Sequence, residues 1–245
     1  MTADWISDQL RERQKPTGRR PAMYQRWGNL LFLHWQCDPD EIARRLPAGL
    51  SLDLFEGAAW IGIVPFFMRA VRPVWSPPIP GLSNFLELNL RTYVRDSNGR
   101  PGVWFFSLDA NQLLAIWAGR RFFSLAYVQA KMRARTTPDM WIEYESSRAG
   151  VSLEYRYRPS GAPFEAKPGS LEFFLIERYR LFAFRRGSLL SGRVYHEPYQ
   201  LRAVSVDRAD TGLFSLNGLS IPNGKPEHQI FASGVDVSVY SLERR

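Results

Sequence analysis

The stretch NFLELNLRTYV, Asn84 to Val94, alternates side chain by side chain. Leu86, Leu88, Leu90, Thr92 and Val94 share one parity, and Phe85, Glu87, Asn89, Arg91 and Tyr93 share the other. Successive side chains of an extended chain leave on opposite sides, so the pattern predicts a β-strand with one buried face. Its polar row has two readings: it faces water, or it lines a pocket. Two positions along a strand span roughly 6.6 Å and four about twice that, so Glu87 and Arg91 need Asn89 or a ligand between them. The plainer alternative is a same-face ion pair of little consequence.

Working outward, SNGRPG predicts a turn into VWFFSLD, making the opening strand one arm of a hairpin. Upstream, WGNLLFLHWQC reads as a buried strand, and DPDEIARRLPAGL as a short helix capped by Asp38 and ended by Pro47 and Gly49. LSLDLFEGAAWIGIVPFFMRAVRP predicts a hairpin turning at Glu56-Gly57, and the prolines of VRPVWSPPIPGLSN an irregular excursion. NQLLAIWAGRRFF predicts a helix capped by Asp109 or Asn111, with Leu113, Leu114, Trp117 and Phe122 on one side. YVQAKMRART, MWIEYESS and VSLEYRYRP then predict a three-strand meander, followed by a Pro/Gly-rich loop at 159–169 and a helix in SLEFFLIERY. RLFAFRRGSLLSGRVYHEPY predicts a hairpin turning at Gly187-Ser188, and IFASGVDVSVYSLE a closing strand. Roughly ten short strands with two or three helices predict an α+β, mainly antiparallel barrel or sandwich able to enclose a small molecule. Residues 1–22 read as an N-terminal helix and linker, and 23–245 as a single domain.

Composition narrows the function classes. Hydrophobic residues at 45% suffice for a sizeable core. The lone Cys37 makes no internal disulfide, and the polar N-terminal stretch lacks the apolar run of a signal peptide, so a cytoplasmic protein is expected. No apolar run approaches the roughly 20 residues of a membrane span, so no membrane partner is expected. The net charge of +8 is spread over short Arg pairs with acids between them, which argues against nucleic acid. Only Lys15, Lys131, Lys167 and Lys225 are lysines. The high aromatic content leaves room for a homo-oligomer.

The expected cofactor content is none. His34, His196, His228 and Cys37 have no metal-ligand spacing, and no G-x-S-x-G, G-x-G-x-x-G or P-loop string occurs. His34, inside an apolar strand, reads as a neutral, hydrogen-bonded core residue. His196, beside Glu197 at a strand end, is a weaker substrate-binding candidate near a pocket mouth. Glu177 and Arg178 close a helix and read as a structural ion pair.

The strings WGNLLFLHW, LPAGLSLDLFEGAAWIGIVPFFM, FLELNLRTYV, GVWFFSLDA and HEPY, in that order, resemble the YqjF-like family, related to the acetoacetate decarboxylase fold. The resemblance covers about Arg20 to Leu242 and implies a curved antiparallel sheet closing into a cone-like barrel around a pocket. Acetoacetate decarboxylase forms a Schiff base on a lysine in a G-R-E…P-K-K segment, with a pocket glutamate on an earlier strand. Here Gly119 and Arg120 fit, Glu87 falls at the glutamate, and VYHE resembles a later V-x-H-E string. Ala126, Tyr127 and Val128 stand where P-K-K would stand, so the attacking amine is missing.

A phenol cannot form an imine, but Tyr127 can donate a hydrogen bond or act as a general acid. Lys131 shares its strand parity but lies about 13 Å further on. The expected function is binding of a small polar or anionic organic molecule, with Glu87 and Tyr127 catalytic and Arg91, Asn89, Tyr93 and His196 binding substrate. Lyase or isomerase chemistry without an imine is one reading. The other is a non-catalytic ligand-binding or stress-associated protein.

Overall fold

The computed structural model describes residues 4–244. Helix α1 (Trp5–Arg13), capped by Asp4, leads through a linker into the long strand β1 (Met23–Cys37). The Asp38 side chain caps the short α2 (Pro39–Ala43) as expected. Strands β2 (Leu50–Leu52) and β3 (Ala59–Pro73) flank a turn at Glu56 and Gly57, both at positive φ. Only one bridge, Phe55 to Ala58, joins its two arms, because β2 pairs instead with the far end of the next strand. That strand, β4 (Phe85–Asp96), forms the expected hairpin with β5 (Pro101–Ala110).

Helix α3 (Leu113–Phe123) is capped by Gln112, whose side chain accepts from the Leu114 and Ala115 N–H groups. The two caps expected there are engaged elsewhere: Asp109 with Arg148, and Asn111 with the Leu86 N–H. The segment expected as one strand after it is two. The short β6 (Tyr127–Gln129) runs parallel to β5, and β7 (Lys131–Thr136) pairs with β8 (Ile142–Arg148). Strand β9 (Val151–Phe164) continues into the stretch expected as a loop. The Ser170-capped α4 (Leu171–Ile176) follows, then the hairpin β10 (Arg180–Arg185) and β11 (Ser188–Tyr195). Strand β12 (Leu201–Ala209), helix α5 (Gly212–Leu216), β13 (His228–Val239) and β14 (Glu243–Arg244) follow to the end of the described residues.

The strand pairings close a ring. Among the described residues β13, β1, β3, β4, β5, β10 and β11 are hydrogen-bonded in that order, and β11 returns to β13. All but one of these junctions are antiparallel; β10 joins β5 in parallel. Strands β12, β9, β8 and β7 extend from β13. They fold over the outer face of β1, β3 and β4, where Tyr144 Oη donates to the Glu87 carbonyl at 2.8 Å and Tyr157 Oη to the Asn29 carbonyl at 2.9 Å.

The opening strand is therefore buried on both faces. Leu88 and Leu90 pack outward with Tyr144, Tyr155 and Leu213, while Phe85 and Tyr93 pack inward with Phe32, Phe66 and Phe174. Bulges let the ring curve by resetting which side chains face inward. Asn29, at φ 50, lies where the β1 register slips: Trp27 before it and Phe32 after it both reach the inner cluster. Ala70, at φ 49, separates inward Met68 from inward Val71 in the same way.

The ring end opposite α3 is plugged. Phe173, Phe174, Leu175 and Ile176 of α4 are buried against the inner cluster, and Trp5 of α1 stacks edge-on against Phe174 at 5.5 Å. Gln9 of α1 donates to the Phe173 and Glu177 carbonyls. Glu12 of α1 pairs with Arg180 at 2.9 Å and Arg193 at 3.1 Å.

Candidate active site in the ring interior

Every strand of the ring contributes a side chain to a cavity of ≈ 140 Å³, and α3 covers one end. Trp27, Phe66, Phe85, Phe105, Leu181 and Val239 make most of its wall apolar. The ionisable side chains on that wall are Glu87 of β4 and Tyr127 of β6, joined by Gln25 as a third polar group. None of the four lysines reaches it; all are exposed.

Glu87 is 3% exposed, and its Oε2 accepts a 2.8 Å hydrogen bond from Tyr127 Oη. Burial pushes the carboxyl up to about 7, partly offset by hydrogen bonds from Tyr127 and Asn89, with the nearby Asp109 charge adding to the rise. Both protonation states are thus populated near neutrality. Burial and then the Glu87 charge hold the Tyr127 phenol well above its ordinary value, so it stays a hydrogen-bond donor.

Local backbone geometry places Tyr127. Helix α3 ends on Ser124 in the left-handed region, with the Leu125 N–H returning to the Gly119 carbonyl and Arg120 Nε donating to the Tyr127 carbonyl at 2.8 Å. The Tyr127 ring lies so close on Gly119 that an added Cβ would meet its Cδ2 and Cε2 atoms at 2.4 Å. A glycine in mid-helix costs about 1 kcal/mol against alanine, and here it leaves room for the ring.

The polar row of β4 divides. Phe85 and Glu87 line the cavity, and Asn89 is buried with its Oδ1 unpartnered. Arg91 and Tyr93 lie beyond, against the α4 plug. Arg91 Nη2 donates to the Leu175 carbonyl at 3.3 Å and lies 3.5 Å from Tyr93 Oη. No Glu87–Arg91 ion pair forms among the described residues. His196, expected near a mouth, is instead buried behind Trp27. Its ring stacks on Tyr179 at 4.5 Å, its Nδ1 donates to the Glu197 carbonyl at 2.8 Å, and burial pulls it down to about 4. Glu177, rather than pairing with Arg178, accepts from the Tyr179 hydroxyl and the Tyr199 N–H. Arg178 binds Asp53 at 2.6 Å.

The sequence reading missed a chain of polar groups beside the plug. Tyr93 Oη lies 2.7 Å from His34 Nε2, and His34 Nδ1 lies 2.9 Å from His228 Nδ1. Burial, then His228 and Arg91, keep His34 neutral. Gly62 makes room for it: a Cβ there would meet His34 Cδ2 at 2.9 Å. The signal available was parity, since His34 follows Phe32 on the inward face. Among the described residues no three His, Cys, Asp or Glu side chains gather as a metal would need. No described helix is long and apolar enough to cross a membrane.

A mainly antiparallel ring closed around an apolar cavity and roofed by a helix defines the acetoacetate-decarboxylase-like fold. Within it, the chain belongs to the DUF2071 family, described as an uncharacterised conserved protein, which matches residues 24–236. It is 38% identical over 207 residues to the uncharacterised protein YqjF of Bacillus subtilis (strain 168), covering 83% of this chain and 85% of that one. An acetoacetate decarboxylase-like enzyme from Sphingomonas wittichii RW1 superposes with a TM-score of 0.64 at 12% identity, over 92% of this chain and 93% of that one. The enduracididine biosynthesis enzyme MppR, complexed with pyruvate, gives 0.63 at 15% identity, over 94% and 93%. These two likenesses establish the fold.

Proposed function

We propose that the ring interior binds a small organic molecule with a polar, carbonyl-type group, and that Glu87 and Tyr127 manage a proton on it without a lysine imine. The observation that carries this reading is the 2.8 Å Tyr127–Glu87 hydrogen bond on the wall of a mainly apolar, lysine-free cavity. A carboxyl poised near neutrality suits both halves of a proton transfer. As base, Glu87 carboxylate takes a hydrogen from the carbon next to the carbonyl; the C–H electron pair moves into a C=C bond and the carbonyl pair onto oxygen. Tyr127 Oη then donates to that enolate oxygen, and the Glu87 carboxylic acid returns the proton. This is the elementary step of lyase and isomerase chemistry. Asn89 orients the carboxyl, while Arg91 and Tyr93 set the positive end of the row.

The test is solvent exchange. With small ketones and ketoacids in deuterated water, proton NMR follows loss of the α-hydrogen signal, and parallel samples with borohydride go to mass spectrometry. Exchange faster with the wild type than with Glu87→Gln, and no reduced adduct on lysine, is the expected result. A trapped lysine adduct, or equal rates in both proteins, overturns the mechanism. Binding without exchange favours the non-catalytic reading.

A further inference from the structure

We infer that the ligand of the ring cavity carries no negative charge, an inference that rests on the proposed binding role of this cavity. Charge balance on the wall carries it. Among the described residues no Lys, Arg or His side chain lines the cavity, and the one carboxyl on its wall is Glu87. An anion entering there loses its water, gains no cationic partner and faces a like charge, so it binds less well than an uncharged molecule of the same size.

Arg91 shares the Glu87 face of β4 but is not on the cavity wall: its Nη2 donates to the Leu175 carbonyl and lies 3.5 Å from the Tyr93 hydroxyl, and its guanidinium lies 5.3 Å from the Phe32 ring centroid. Size points the same way. A dry apolar cavity of about 150 Å³ accepts benzene, so ≈ 140 Å³ with one polar corner suits a compact ketone or aldehyde whose oxygen meets Tyr127 and whose alkyl body meets the aromatic wall.

The experiment compares 3-methyl-2-butanone with pyruvate, which share an acetyl group and differ in carrying an isopropyl or a carboxylate. Dissociation constants are measured by ligand-observed NMR at pH 8. The proteins are the wild type and two cavity-filling variants, Ala118→Phe and Ala115→Leu, each checked for native circular dichroism. Expected is ketone binding in the wild type, lost in the folded variants, with pyruvate weaker by about tenfold or more. Pyruvate binding as tightly as the ketone, and equally lost in the variants, overturns the exclusion of anions but leaves the pocket reading standing. No binding of either probe, or binding unchanged in the filled variants, overturns the pocket reading and this inference with it.

Discussion

Replacing Gly119 with alanine sets two effects against each other. On helix propensity alone the change stabilises α3 by about 1 kcal/mol. The added methyl would, however, sit 2.4 Å from two carbons of the Tyr127 ring, well inside van der Waals contact. The ring cannot simply swing away, because its hydroxyl is fixed on Glu87 and the Tyr127 carbonyl on Arg120. Overpacking costs about 1–3 kcal/mol, and a lost hydrogen bond to a charged group about 1.5–3 more if the ring gives way. The clash wins, and Gly119→Ala is expected to lower stability by about 2 kcal/mol in urea denaturation and to slow α-hydrogen exchange. A variant more stable than the wild type, with exchange intact, would refute the placement of Tyr127 over Gly119.

Glu87→Gln should change how stability depends on pH. The folded chain holds the Glu87 proton more tightly than the unfolded one. Its contribution is therefore whole below about pH 4.5 and is lost as pH rises through about 7, amounting to about 3 kcal/mol. Denaturation curves at pH 5 and 8.5 should show the variant losing less stability than the wild type over that range; parallel losses would contradict this. Asp53→Asn removes the charge that pairs with both Arg178 and Arg95, leaving the buried Arg178 guanidinium uncompensated, with an expected loss of about 3 kcal/mol by thermal or chemical melting. Tyr127→Phe removes a hydrogen bond that holds the Glu87 carboxyl down, so its titration should move upward, as carbon-13 NMR would detect.

Much of the ring was legible because alternation is a direct imprint of a pleated strand. The β4 row, the β4–β5 turn and the β10–β11 turn follow from the sequence within a residue or so. Where the reading failed, bulges and remote partners decided. Strand β12 was missed: register slips after Leu201 and Val206 break its alternation, and its outer face is wet. The Glu56-Gly57 turn was visible, but β2's pairing with β4 depends on a strand that comes over thirty residues later. The apolar side of α3 misled in another way: Leu113, Leu114, Trp117 and Phe122 are all more than half exposed, while small residues on the other side roof the cavity. At the site, the Glu87–Tyr127 pairing was suggested by resemblance. The separation of Arg91 from it was not, because α4 supplies the carbonyl that holds Arg91 and nothing in the strand's own sequence announces that contact.

The question that NFLELNLRTYV poses comes down to one carboxyl, and a titration of carbon-13-labelled glutamate, with Glu87 assigned by its loss in Glu87→Gln, answers it. A midpoint near 7 is predicted for a group desolvated inside the ring. A midpoint at the ordinary 4.5 would mean a carboxylate bathed in water, and an enclosed acid–base site could not be sustained.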